Sequence, residues 1–252
     1  MGGVGERIMK LLIVNPNTTA SMTDKIRLAA QTVAEASTEI IVINPDSGPA
    51  SIEGYYDEGF SVPGLLREIR KGESVGVDGF IVACFDDPGL NAARSIATGP
   101  VVGICEAAVY AASMIAGSFT IVTTLTSSVP AIKTLVRTYG RDNFCHRVRA
   151  ANIPVLSLEQ EGSEARQLIE AEIALAIDED ASEAIVLGCA GMADLVQQLS
   201  RKFGLPVIDG VSAAVKMVEG LVAQGLKTSK VGGYVWPPDK MYAGEFANDR
   251  YS

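Results

Sequence analysis

The sequence predicts an α/β fold of two pseudo-symmetric lobes, each a parallel sheet flanked by helices, with a candidate active site in the cleft between them. Three observations carry this. Strand-like runs such as Phe80-Ile81-Val82 and Ala184-Ile185-Val186-Leu187 are apolar throughout, which marks strands buried on both faces, as in parallel sheets. Segments with helical spacing separate them, as crossover connections require. The order of elements also repeats once, at a period of roughly 105 residues set by the separation of Cys84 from Cys189. That is too long and too few-fold for a solenoid.

Lys10 to Val14 reads as the first strand. The polar turn Asn15-Pro16-Asn17-Thr18-Thr19 follows, then a helix capped by Ser21, with Asp24 as a capping-box partner, running to about Glu35. Glu39 to Pro45 is a second strand. The stretch from Asp46 to Val62 reads as a long loop carrying Gly48, Gly54, Tyr55, Tyr56, Gly59 and Phe60; loops of that length are often lids or binding loops. Pro63 opens a helix to about Glu73, striped by Leu65, Leu66 and Ile69. A strand ending at Cys84, a helix from Leu90 to Ala97, a strand from Pro100 to Ile104 and a helix from Glu106 to Ala116 complete one unit.

The unit then starts again. Phe119 to Val122 is a strand, Thr123 to Ser128 a hydroxyl-rich turn, and Val129 to Tyr139 a helix. Arg147 to Ala151 and Pro154 to Leu156 supply the second strand region, with Cys145 and His146 in an Arg-rich connector before it. A helix from Ser163 to about Asp178 leads to the strand that ends in Cys189. A helix over Ala193 to Leu199, a strand over Pro206 to Gly210 and a helix from Ser212 to Val222 follow. Gly188 and Gly191 bracket Cys189, as a tight strand-to-helix turn would want. Trp236-Pro237-Pro238 and the tail are expected to pack on the first lobe. Residues 1–8 read as a leader.

Composition narrows the function. With 48% hydrophobic and 20% charged residues, the 252-residue chain can bury a sizeable core and is not disordered. A net charge of −9 disfavours nucleic acid and anionic membranes as partners. No apolar run approaches the roughly 20 residues of a membrane span, and no signal-peptide pattern opens the chain. The expected compartment is therefore cytoplasmic, where thiols stay reduced. The four cysteines form no C-x-x-C pair and there is one histidine, His146. No metal site is expected, nor a Ser-His or Cys-His nucleophile. Cys105 reads as core.

Cys84 and Cys189 stand at equivalent strand ends of the repeat, where open α/β sheets bind ligands. A pseudo-twofold axis would set them on opposite walls of one cleft. The helix start beside Cys189 predicts a thiol pKa lowered from about 8.5 toward neutrality. With one thiolate and one thiol, the first can remove a proton from a substrate carbon and the second return one to the opposite face. That inverts a stereocentre without a cofactor, provided that an adjacent carbonyl takes the charge as an enolate. Asn17, Thr18, Thr19, Thr123 and Thr124 are the expected donors to that oxygen. Asp86 and Asp87 would repel a carboxylate if they point inward; otherwise they cap the helix that follows. Glu106 and Asp209 either tune the thiols or start helices. Tyr55, Tyr56 and Phe60 either face the substrate or anchor their loop.

Asn15-Pro16-Asn17-Thr18-Thr19, Ala83-Cys84-Phe85-Asp86-Asp87-Pro88-Gly89-Leu90, Leu187-Gly188-Cys189-Ala190-Gly191-Met192 and Pro206-Val207-Ile208-Asp209-Gly210-Val211 resemble the aspartate/glutamate/hydantoin racemase superfamily, in its hydantoin and allantoin racemase branch. The resemblance covers nearly the whole chain from Met9. It implies a cofactor-independent racemase of 5-monosubstituted hydantoins, in which Cys84 and Cys189 act on the two faces of ring carbon C5. It also implies that Phe85, Asp86, Ala190 and Gly191 offer backbone N–H groups to ring carbonyls, and that Asn17, Thr123 and Thr124 complete the pocket. The partner is then a small molecule, and the chain a homo-oligomer. The family's chain crossings imply a discontinuous first lobe, residues 10–105 with 212–252, and a second lobe of 106–211. Members lacking one cysteine, such as arylmalonate decarboxylase, are disfavoured. An amino-acid racemase, a maleate cis–trans isomerase and a two-lobed binding protein stay open as alternatives.

Overall fold

The computed structural model describes residues 8–160 and 164–251. Residues 1–7 of the expected leader and Ser163 lie outside them. Among the described residues, eight strands form two four-stranded parallel sheets. β1 (Met9–Val14), β2 (Thr38–Ile43), β3 (Gly79–Val82) and β4 (Val101–Gly103) lie in the order β2-β1-β3-β4. β5 (Phe119–Thr123), β6 (Cys145–Ala150), β7 (Ala184–Leu187) and β8 (Val207–Asp209) lie in the order β6-β5-β7-β8. The two sheets share one topology, and equivalent pairs are in register: Ile13 beside Ile81, Ile121 beside Val186. The repeat in the sequence is thus a repeat in space.

Among the described residues the α-helices are α1 (Ala20–Val33), α2 (Tyr55–Ser74), α3 (Leu90–Ile96), α4 (Ile104–Ile115), α5 (Val129–Thr138), α6 (Ala165–Asp180), α7 (Val196–Phe203) and α8 (Gly210–Ala223). Alternation along each strand feeds two cores. Leu11, Ile13, Ile81, Ile121 and Val186 face a central core shared by both sheets. Leu12, Val14, Phe80 and Val82 face an outer core with Leu65 and Ile69 of α2. Ile185 and Leu187 face a third, with Ile169 and Ile173 of α6. Burial on both faces is why the strand runs are apolar without alternation.

α4 and α8 fill the space between the sheets and pack on each other. Their contact surfaces are rich in small residues, among them Ala107, Ala108, Ala112 and Ala214, all fully buried. Gly210 permits the closest approach: a Cβ there would come 2.3 Å from the Ile104 carbonyl oxygen. The chain crosses at this point. α8 lies against β3 and β4, and α4 against β7 and β8.

Several expectations are corrected. α1 begins at Ala20, so Ser21 is not its cap, and Asp24 pairs with Arg27 instead of closing a capping box. The long loop is shorter than expected, because α2 starts at Tyr55 and Pro63 lies inside it. Proline removes one helical N–H but can be carried where packing holds the helix. Leu65 and Ile69, both fully buried, do so just beyond it. Tyr55, Tyr56 and Phe60 therefore ride on a helix. They are 62%, 78% and 61% exposed, and neither anchor a loop nor face the cleft. Cys145 and His146 lie on β6 and not in a connector. The charges of this edge strand are met by α6: Arg149 Nε and Nη2 lie 2.6 Å from Asp180 and Glu179. Val155–Glu159 is a short 3-10 turn and not part of a strand.

The tail lies on α2 and α3. Arg67 pairs with Asp249 at 2.7 Å, Tyr234 Oη donates to Asn91 Oδ1 at 3.0 Å, and Trp236 stacks on Tyr251. No described helix is long and apolar enough to cross a membrane.

Candidate active site

In a sheet ordered 2-1-3-4, the connections after the first and third strands leave in opposite directions and open a crevice at their carboxyl ends. Asn17 follows β1 and Cys84 follows β3; Thr123 ends β5, Thr124 follows it, and Cys189 follows β7. Both crevices meet in one cavity of about 30 Å³. Its walls include Cys84, Cys189, Asn17, Phe85, Asp86, Thr123, Thr124 and Ala190, along with Met22, Ile52, Ser128, Val155 and Gly188. Larger grooves of about 850 and 640 Å³ run along α8 and hold neither sulfur. Gly191 lies just behind the wall, where a Cβ would sit 3.7 Å from Cys189 Sγ.

The two cysteine turns match. In each, the backbone N–H two residues on, from Asp86 or from Gly191, bears on the sulfur and favours its thiolate. Neither Gly188 nor Gly191 has a positive φ, so these glycines provide room and not a left-handed turn. A Cβ on Gly188 would meet Thr123 Cβ at 2.9 Å, and Thr123 Oγ1 donates to the Gly188 carbonyl at 3.0 Å. Gly188 thereby ties the Cys189 turn to the end of β5.

The expected drop in thiol pKa is overturned. Burial pushes Cys189 up to about 11, with Asp86 and Glu159 adding to the rise while the Gly191 N–H and Lys25 oppose it. Burial, then the charge of Asp86, also pushes Cys84 well up, and Cys189 itself adds to that. Desolvation of the sulfurs outweighs the N–H groups at the turn. Asp86 raises both thiols, and Lys25 favours the Cys189 thiolate.

The neighbouring carboxyls part company. Asp86 is 6% exposed, faces the cavity and is raised to about 7 by burial and by the charge of Glu58. Asp87 turns away with φ +43°. It accepts from the N–H groups of Cys105 and Glu106 at 3.1 and 2.9 Å and from Tyr139 Oη at 2.7 Å. It therefore caps α4, not the helix that follows it; α3 starts from Gly89 in the left-handed region. Glu106 pairs with Arg94 at 2.6 Å, and Asp209 caps α8 through the Ser212 N–H. Neither reaches the thiols.

Asn17 is held in place: its Oδ1 accepts from Asn15 Nδ2 and the Thr19 N–H, both at 2.9 Å. Thr18 and Thr19 face away from the cavity. They donate to the Pro49 and Ala50 carbonyls and tie down the segment before α2. That segment carries Ile52 into the cavity wall, and Glu53 carries it across to the second half. The Glu53 carbonyl accepts from Ser127 Oγ at 2.7 Å, and its carboxylate accepts from the Val155 N–H at 2.9 Å. Lys25 of α1 makes a second crossing, to the Leu158 carbonyl at 2.5 Å and Glu159 at 3.0 Å. Sequence reasoning missed Met22, Ser128 and Val155 as lining residues. Ile52 had a signal, because its stretch read as a binding loop. Among the described residues no group of three or more His, Cys, Asp or Glu is placed to hold a metal ion.

The comparisons agree with this geometry. The family model for Asp/Glu/hydantoin racemase matches residues 11–218. A hydantoin racemase from Rhizobium meliloti is 52% identical over 236 residues, 94% of this chain and 98% of the relative. One from Pseudomonas sp. (strain NS671) is 45% identical, covering 95% and 96%. An allantoin racemase from Klebsiella pneumoniae superposes with a TM-score of 0.93 at 47% identity, covering 95% of this chain and 98% of that one. The matched span includes both cysteine turns and every strand but the start of β1, and the chain belongs to the Asp/Glu/hydantoin racemase family.

Proposed function

We propose that this chain is a cofactor-independent racemase of 5-monosubstituted hydantoins, allantoin among them, working through Cys84 and Cys189. The observation that carries the reading is one cavity walled by two cysteines from equivalent turns of a duplicated fold. The relatives named hydantoin racemase and allantoin racemase support the substrate class. In this reading the two lobes are residues 10–105 with 212–252, and 106–211.

The chemistry follows from the placement. One sulfur, as thiolate, takes the proton from C5. The electron pair moves to the adjacent ring carbonyl as an enolate, and the opposite thiol delivers its proton to the other face. The reverse reaction exchanges the roles. Burial keeps both sulfurs protonated at neutral pH, so the base forms by loss of a thiol proton. Phe85, Ala190, Asn17, Thr123 and Thr124 supply the surroundings of the ring. An amino-acid substrate is disfavoured, because the Asp86 carboxyl on the cavity wall would have to stay protonated beside a substrate carboxylate.

The thiol pKa values set a pH dependence. The base is the deprotonated sulfur, and below its pKa the thiolate fraction grows about tenfold per pH unit. With Cys189 up at about 11, kcat/KM for deuterium exchange at C5 should climb from neutral pH into the alkaline range. NMR in heavy water from pH 7 to about 10 measures it. A flat or falling profile would count against a thiolate base. Polarimetry on enantiopure allantoin and on 5-alkylhydantoins tests the activity itself; retention of optical rotation with all of them would exclude the function.

A further inference from the structure

Apart from the two thiols, Asp86 is the only ionisable side chain on the cavity wall among the described residues. It is 6% exposed, and no described donor reaches its carboxyl. Asp87, the next residue, answers three donors. Its oxygens open onto the cavity, where a ligand can bring the donors that the protein does not. Glu58, in the first turns of α2, is near enough for its charge to act on Asp86, so the acidic character extends beyond one group. Met22, Ile52, Phe85 and Val155 make the rest of the wall apolar.

We propose that the Asp86 carboxyl, backed by Glu58, is the specificity-determining group that receives N–H donors on the C5 substituent, so that a ureido group is preferred to an alkyl or benzyl one. The inference rests on the racemase reading. A carboxylate beside the developing enolate oxygen would oppose the reaction, so Asp86 belongs at the substituent end of the ring. A ureido group offers several N–H donors there. An alkyl group offers none and leaves the carboxyl dehydrated and unpaired.

The test measures kcat/KM by polarimetry for enantiopure allantoin, 5-isopropylhydantoin and 5-benzylhydantoin. It uses the parent, Asp86→Asn and Glu58→Gln. The charge of Asp86 also acts on Cys84, so absolute rates will shift in a variant; the ratio between substrates removes that common effect. The parent should favour allantoin. Asp86→Asn should lose roughly 10–100-fold of that preference, the weight of a charge-assisted hydrogen bond. Glu58→Gln, on a half-buried helical position that tolerates exchange, should lose a few-fold by weakening the same end. A parent that prefers the alkyl substrates, or a ratio unchanged in both variants, overturns the inference. If no substrate racemises and none exchanges its C5 proton in heavy water, the racemase reading itself falls and takes this inference with it.

Discussion

Replacing either thiol with a hydroxyl should stop racemisation while leaving each variant able to exchange the C5 proton of one enantiomer. A serine hydroxyl fits the space but is far too weak an acid to serve as base near neutral pH. In Cys84→Ser, Cys189 can still remove and return a proton on its own face, so the enantiomer whose hydrogen points toward Cys189 exchanges with retention. Cys189→Ser should exchange the opposite enantiomer. Racemisation needs both faces and should fall by about 10²–10⁴-fold in each variant, the contribution of one positioned acid–base group. The double variant should do neither. Deuterium incorporation by NMR, read beside optical rotation, separates the two outcomes. A single variant that racemises at the parental rate, or two variants that exchange the same enantiomer, would sink the two-sided mechanism. Serine is close to isosteric with cysteine at these half-buried positions, so the fold should survive and the loss can be read as chemistry.

The strands were legible because burial on both faces leaves a chemical mark: Ile81 and Val82 must both be apolar when they face different cores. The cysteine pair was legible because each ends such a run at the same place in a repeat. What escaped depends on contacts between distant segments. Nothing near Pro63 in sequence reports that Leu65 and Ile69 bury deeply enough to carry a helix through it. The charges of β6 argue against a strand until α6 sets Glu179 and Asp180 opposite Arg149. The thiol pKa values went the other way because the turn N–H groups are local and visible, whereas desolvation comes from the meeting of two halves. Asp86 and Asp87 are identical as letters. One left-handed residue sends the first toward the cavity and the second toward α4.

That second carboxyl should carry a large share of stability. In Asp87→Ala, the buried N–H groups of Cys105 and Glu106 lose their acceptor, Tyr139 Oη loses its partner, and alanine must hold a φ of +43° that aspartate tolerates better. Leaving such donors unsatisfied costs about 1–3 kcal/mol each, so a total loss of about 3–5 kcal/mol is expected in denaturant unfolding. Tyr139→Phe removes one donor and leaves the α4 cap, and should cost about 1 kcal/mol. The pH dependence carries a sign. Burial raises Asp87 to about 7 against the pull of its hydrogen bonds, while the unfolded carboxyl stays near its ordinary 3.8. Between those values the folded chain binds the proton more tightly, so this group's contribution is full below the lower one and shrinks as pH rises toward 7. The gap between the parent and Asp87→Ala should therefore be wider at pH 5 than at pH 8. Activity should fall with stability, since the Asp87 N–H donates to the Cys84 carbonyl at 3.0 Å, and Asp87 links the Cys84 turn to α4 and, through Tyr139, to the far end of α5. An Asp87→Ala protein as stable as the parent, or a gap that widens with pH, would show that the α4 cap is not what anchors this turn.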